Sequence, residues 1–149
     1  MFKNWTKNPY FKYLTKEDRL QRACIDYAMY KHGMKPIALN TEHKRSNFEA
    51  YLWVFMGGEA GTPDLFFPYP NSQYHGCFME LKTEGRTVFK KNGDIAKSGY
   101  KTHKPQFDRL EAYRGRGYYA EFVFGFNDFK TKIDSYALQL EKRNIKSFR

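Results

Sequence analysis

Apolar residues recur along this chain in short, punctuated runs whose spacing alternates between helical and extended. Leu20, Cys24, Ile25, Ala28 and Met29 share one side of a 3.6-residue period. Thr15 precedes them as an N-cap, with Asp18 three residues on in the capping-box position and Glu17 adding charge to the first turn. Gly33 supplies the stop. Residues 36–39 predict a short strand, and residues 40–45 a polar connection. Ser46 with Glu49 repeats the capping-box pattern and opens a second helix that ends near Gly57 and Gly58. Gly61, Thr62 and Pro63 form a turn into a short strand at residues 64–67, closed by Pro68 and Pro70. A loop carrying Asn71 and Ser72 leads to a strand over residues 75–82. There Cys77, Met79 and Leu81 face one way, and Phe78, Glu80 and Lys82 the other.

Residues 84–104 are basic and punctuated by glycine. Asn92-Gly93, flanked by residues 88–91 and 94–97, predicts a hairpin with a two-residue turn. Pro105 suits the first turn of a third helix that turns Phe107, Leu110 and Tyr113 inward and ends at Gly115. Residues 118–126 read as a strand, and Asn127 as the cap of a last helix bearing Phe129, Ile133, Tyr136 and Ala137. Residues 1–14 form a basic, aromatic arm without a clear period. The basic tail at residues 141–149 is expected to fray. With no internal repeat and no boundary, residues 1–149 read as one α/β domain with a central mixed sheet flanked by helices.

Composition narrows what such a domain does. A chain of 149 residues supports one core, and 41% hydrophobic with 19% aromatic content sets it apart from disordered chains. A net charge of +10 favours polyanions, and the interleaving of Tyr, Phe and Trp with Lys and Arg points to nucleic acid. No apolar run approaches the ~20 residues that span a bilayer. Residues 1–10 lack the apolar stretch of a signal peptide, so the expected location is the cytoplasm. Cys24 and Cys77 sit in apolar segments as buried thiols. His32, His43, His75 and His103 show no ligand spacing, which argues against zinc.

Three polar residues interrupt apolar strands. Glu80 and Lys82 project from one strand face, and Asp64 opens a neighbouring strand behind a proline. A Glu-x-Lys pair is also what an ordinary salt-bridged strand face produces. A charge on a strongly apolar strand is costly unless paired or used, however. Two converging carboxylates repel unless a cation lies between them, and hard oxygen ligands suit Mg²⁺ or Mn²⁺. Lys82 is then placed to orient or deprotonate a water, or to neutralise a pentavalent phosphate. Lys90, Lys91, Lys97, Lys101 and Lys104 read as a phosphate-contacting flap following that strand. Trp5, Tyr10, Phe11 and Tyr13 read as packing for a partner subunit, and His75 and His103 as structural.

Gly61, Thr62, Pro63 and Asp64, then Glu80, Leu81 and Lys82, then Gln106 with Leu110, and finally Gly117 with Tyr118 resemble the VRR-NUC branch of the PD-(D/E)xK nucleases. Glu17 with Gln21 is similar to that family's opening Glu and Gln, so the likeness runs from about Glu17 to Tyr136. The resemblance implies a restriction-endonuclease-like α/β core and a Mg²⁺- or Mn²⁺-dependent DNA endonuclease that leaves a 5′-phosphate. It implies Asp64, Glu80 and the Leu81 backbone carbonyl as metal ligands, with Glu17 acting through water, and Lys82 as the catalytic lysine. Gln106, in the first turn of its helix, would orient the lysine or the substrate. It further implies a phage or bacterial setting (a phage-encoded chain would work in its host's cytoplasm) and a homodimer acting on branched or junction DNA. The basic hairpin before Gln106 departs from the simplest family members. The alternatives are a nucleic-acid-binding module without chemistry, and a nuclease acting on RNA.

Overall fold

The computed structural model describes residues 4–39 and 46–147, with backbone alone from residue 141. The polar connection expected at residues 40–45, His43 included, lies outside the described residues. Helix α1 (Lys16–His32) opens on a complete capping box between Thr15 and Asp18. Strand β1 (Ile37–Ala38) and helix α2 (Asn47–Phe55) follow, the helix opened by a second complete box between Ser46 and Glu49. Then come β2 (Leu65–Phe67), β3 (Cys77–Lys82), α3 (Tyr100–Gly115), β4 (Tyr119–Phe124) and α4 (Gly125–Ser147). The arm forms two short 3₁₀ turns, Trp5–Lys7 and Pro9–Tyr13.

The four strands lie in the order β1-β2-β3-β4. The first two pairings are antiparallel and β3–β4 is parallel, so the sheet is mixed as expected. Period-2 alternation divides its side chains between two layers. Leu65, Phe67, Cys77, Met79 and Val123 join Cys24 and Ala28 of α1 and Phe129, Ile133 and Ala137 of α4. Phe78, Ala120 and Phe122 join Leu110 of α3 on the opposite face. Glu80 and Lys82 are in phase with Phe78, and therefore on the α3 side.

Three local expectations are corrected. Helix α3 begins at Tyr100, with Gly99 at its N-cap, so Pro105 is its sixth residue and lies inside it. The ring removes one N–H from the ladder there. Asn127 is not a cap: the chain passes from β4 directly into α4 at Gly125, and Asp128 accepts the Phe124 N–H at 2.8 Å. The backbone of the tail stays helical to Ser147.

The hairpin differs too. A two-residue type I′ turn needs positive φ at both central residues. Gly93 has it, at 89°, whereas no described non-glycine residue does, Asn92 included. The loop instead has three residues. The Lys90 N–H donates to the Asp94 carbonyl at 2.7 Å and the Gly93 N–H to the Lys90 carbonyl at 3.0 Å, with glycine at the left-handed position. Strand pairing shrinks to the Phe89–Ile95 bridge. Val88 is buried against Phe78, Leu110 and Phe122, so the hairpin is anchored to the core.

Candidate active site

The β2–β3 register brings the carboxylates together. Leu65 stands opposite Met79, which sets Asp64 level with Glu80 one step past the paired residues. Asp64 is 6% exposed and Glu80 4%. The Leu81 N–H donates to Asp64 Oδ2 at 2.6 Å. Glu80 Oε1 accepts from Lys82 Nζ at 3.1 Å and from Gln106 Nε2 at 2.7 Å. Lys82 Nζ also donates to Gln106 Oε1 at 2.8 Å, closing a triangle. Burying a charge costs several kcal/mol unless it is paired and hydrogen-bonded; here the lysine and the amide offset that cost at Glu80 Oε1, and a backbone N–H at Asp64 Oδ2.

Gln106 reaches this triangle from the second turn of α3, not the first as expected, because the helix starts earlier. Its amide therefore acts by hydrogen bonding to Glu80 and Lys82, not by presenting a helix N-terminus. Gly61 fixes the approach. It has φ +80°, and a Cβ there would overlap the Pro105 carbonyl and lie 2.8 Å from Gln106 N. Only glycine lets the turn before Asp64 close on the α3 backbone that carries Gln106.

These groups open on a cleft of about 710 Å³. Glu17 and Gln21 of α1 line one wall, Asp64, Glu80, Leu81 and Lys82 the floor, and Thr83, Arg86 and Thr102 another side together with Gln106. Glu17 thus faces the same space as the two carboxylates. Lys90, Lys91, Lys97, Lys101 and Lys104 are not among the lining residues. Lys97 and Lys101 border a separate concavity beside Tyr100, and Lys104 pairs with Asp108. The arm is laid along α1 by Arg19 over the Phe11 ring (4.7 Å) and Arg22 over the Trp5 ring (5.3 Å), which carries Leu14 and Thr15 to the cleft rim. Arg86, Thr83 and Thr102 escape a reading of the sequence because connections and helix starts have no periodic signal. Their only clue is closeness in sequence to Lys82 and Gln106.

The core behind the carboxylates is apolar. Burial pushes the Cys24 thiol up to about 12, with the Asp64 charge adding to it, and burial raises Cys77 well above its ordinary value. Both are inert core thiols. His103 is 1% exposed, and burial, then the charges of Lys82 and Arg86, hold its pKa below the usual value. No group of three or more His, Cys, Asp or Glu side chains assembles among the described residues. Two buried carboxylates offer oxygen ligands only. That set suits Mg²⁺, which keeps several waters and takes one or two carboxylates plus substrate phosphate oxygens.

A search of solved structures finds a VRR_NUC domain protein that aligns with a TM-score of 0.58 over 85% of this chain and 91% of that one, at 22% sequence identity. The chain therefore has a VRR-NUC-like α/β fold. No family model matches the sequence. No curated protein matches it either.

Proposed function

We propose that this protein is a Mg²⁺- or Mn²⁺-dependent endodeoxyribonuclease. The observation that supports this reading is the meeting of Asp64, Glu80, Lys82 and Gln106 in one cleft of a VRR-NUC-like fold. Asp64 and Glu80 would hold the ion with the Leu81 backbone carbonyl, and Glu17 would reach it through water. When bound, such an ion stabilises charge on a phosphoryl oxygen and acidifies a water. The rest falls to the chain. Gln106 holds the Lys82 ammonium in place, and Lys82 directs its remaining N–H toward the attacking water or the developing charge on phosphorus. The +10 charge draws the polyanion to the cleft.

The substrate in this reading is branched or junction DNA, taken by a two-fold dimer. Helix α2 supports the dimer: none of its residues is buried, and Phe48, Tyr51, Val54 and Phe55 are all exposed. The test is a cleavage assay with labelled duplex, single-stranded, flap and four-way-junction DNA in Mg²⁺, Mn²⁺ or EDTA. Metal-dependent cutting of at least one substrate, lost in Lys82→Ala while binding persists, is the expected result. Tight binding with no cutting by the wild type would replace this reading with that of a non-catalytic DNA-binding module.

A further inference from the structure

One side of the cleft carries a cation that the arrangement around Glu80 leaves unused. Arg86 follows β3 on a tight turn, its N–H donating to the Thr83 carbonyl at 3.1 Å, and its side chain lines the cleft beside Thr83 and Thr102. Two arginines line the cleft, Arg22 and Arg86, and Arg22 pairs with Asp26. Among the described residues Arg86 makes no ion pair, and it is exposed.

A second observation comes from behind that side. His103, next to Thr102 on α3, is buried, and neither of its ring nitrogens has a hydrogen-bond partner. It lies within the fields of both Lys82 and Arg86, which disfavour its protonation. Lys82 is balanced by Glu80, but the buried imidazole offers Arg86 no negative charge, and among the described residues no carboxylate pairs with the Arg86 guanidinium. A guanidinium and two threonine hydroxyls lining one cleft match the oxygens of a phosphodiester.

We propose that Arg86, with Thr83 and Thr102, forms a subsite for a non-scissile backbone phosphate of the strand being cut. The inference rests on the nuclease reading and deepens it: the strand is gripped at two phosphates, one addressed by Lys82 and a neighbour by Arg86. Strand polarity across the cleft is then set by the cleft itself, without the lysines of the hairpin.

The test uses the full chain as wild type, Arg86→Ala, Arg86→Lys and Arg116→Ala, the last an exposed arginine outside the cleft. Affinity for a duplex oligonucleotide is measured in EDTA across a salt series. Cleavage is then measured on oligonucleotides in which each phosphate flanking the mapped cut site is replaced, one at a time, by a neutral methylphosphonate. In Arg86→Ala the slope of log affinity against log salt should fall by about one, and Arg86→Lys and Arg116→Ala should keep the wild-type slope. Wild type should be slowed by neutralising one flanking phosphate, and Arg86→Ala should be insensitive to that same replacement. An unchanged slope, or a methylphosphonate effect equal in wild type and Arg86→Ala, overturns the subsite. If the wild type cuts nothing, the nuclease reading fails, while the salt slope still decides whether Arg86 meets a phosphate.

Discussion

Buried Glu80 pairs with half-buried Lys82, and Gln106 bonds to both, so each substitution here also acts on the remaining two groups. Glu80→Gln keeps the shape and the hydrogen bonds but removes the charge that would hold a metal. Cleavage should fall by at least about a hundredfold while DNA affinity in EDTA stays near wild type. Gln106→Ala removes only the positioning contact, and a loss of about 10–100-fold in the single-turnover rate is expected. A wild-type rate in that variant would show that Lys82 needs no help from α3. Asp64, Glu80 and Lys82 are legible in the sequence because each interrupts an apolar strand, where a charge has to be explained. Gln106 is legible only through the family likeness. Arg86 and Thr102 are not legible, since nothing local tells a solvated arginine from one lining a cleft.

Helices and turns carry their own expectations. Gly61→Ala would push the Pro105–Gln106 peptide away from the turn before Asp64, so activity should fall further than thermal stability does. Gly93→Ala, at φ 89° in the hairpin loop, should cost about 1 kcal/mol and leave cleavage intact. Comparing melting curves with single-turnover rates separates the two. Asp134 fastens α4 to α1. It accepts hydrogen bonds from Tyr27 and Lys31 and meets His32 Nε2 at 2.6 Å. Partial burial pushes its pKa up, but the bonds from His32, Lys31 and Tyr27 outweigh that and hold it at about 2. A carboxylate held low stabilises the fold above its ordinary value of 3.8, and loses that effect as pH falls toward 2. Asp134→Asn should therefore melt lower than wild type near neutrality, with the gap closing toward pH 2. A constant gap would assign the effect to packing. The two capping boxes were readable because a cap is made by residues three apart. The start of α3 was not. Pro105 imitates a first-turn proline, and the true start at Gly99 has no side-chain cap to announce it. Asn127 misleads in the same way, because Gly125 turns the chain before a cap is needed.

For the molecule as a whole, the main apolar feature left open to solvent is α2. Phe48, Tyr51, Leu52 and Phe55 follow the spacing i, i+3, i+4, i+7 of a buried helical stripe, yet all four are exposed. Tyr51 and Phe55 stack on each other with ring centres 6.1 Å apart. A nine-residue helix is too short to hold itself in water, since isolated helices below about 12–15 residues are marginal. Its capping box and half-buried Trp53 hold it in place, and contact along the exposed stripe would add to that. In the dimer proposed above, a second copy would supply a matching stripe through a two-fold axis and would give a domain of 17.8 kDa two cutting sites for a junction. Sedimentation should then give about twice the monomer mass at micromolar concentration. Tyr51→Glu with Phe55→Glu should halve that mass and leave the Glu80–Lys82–Gln106 triangle untouched. The dissociated variant should still nick DNA at one strand but lose paired incision of a four-way junction within one encounter. A wild type that sediments as a monomer, or a charged variant that still cuts both strands together, would mean that α2 meets something other than its own copy.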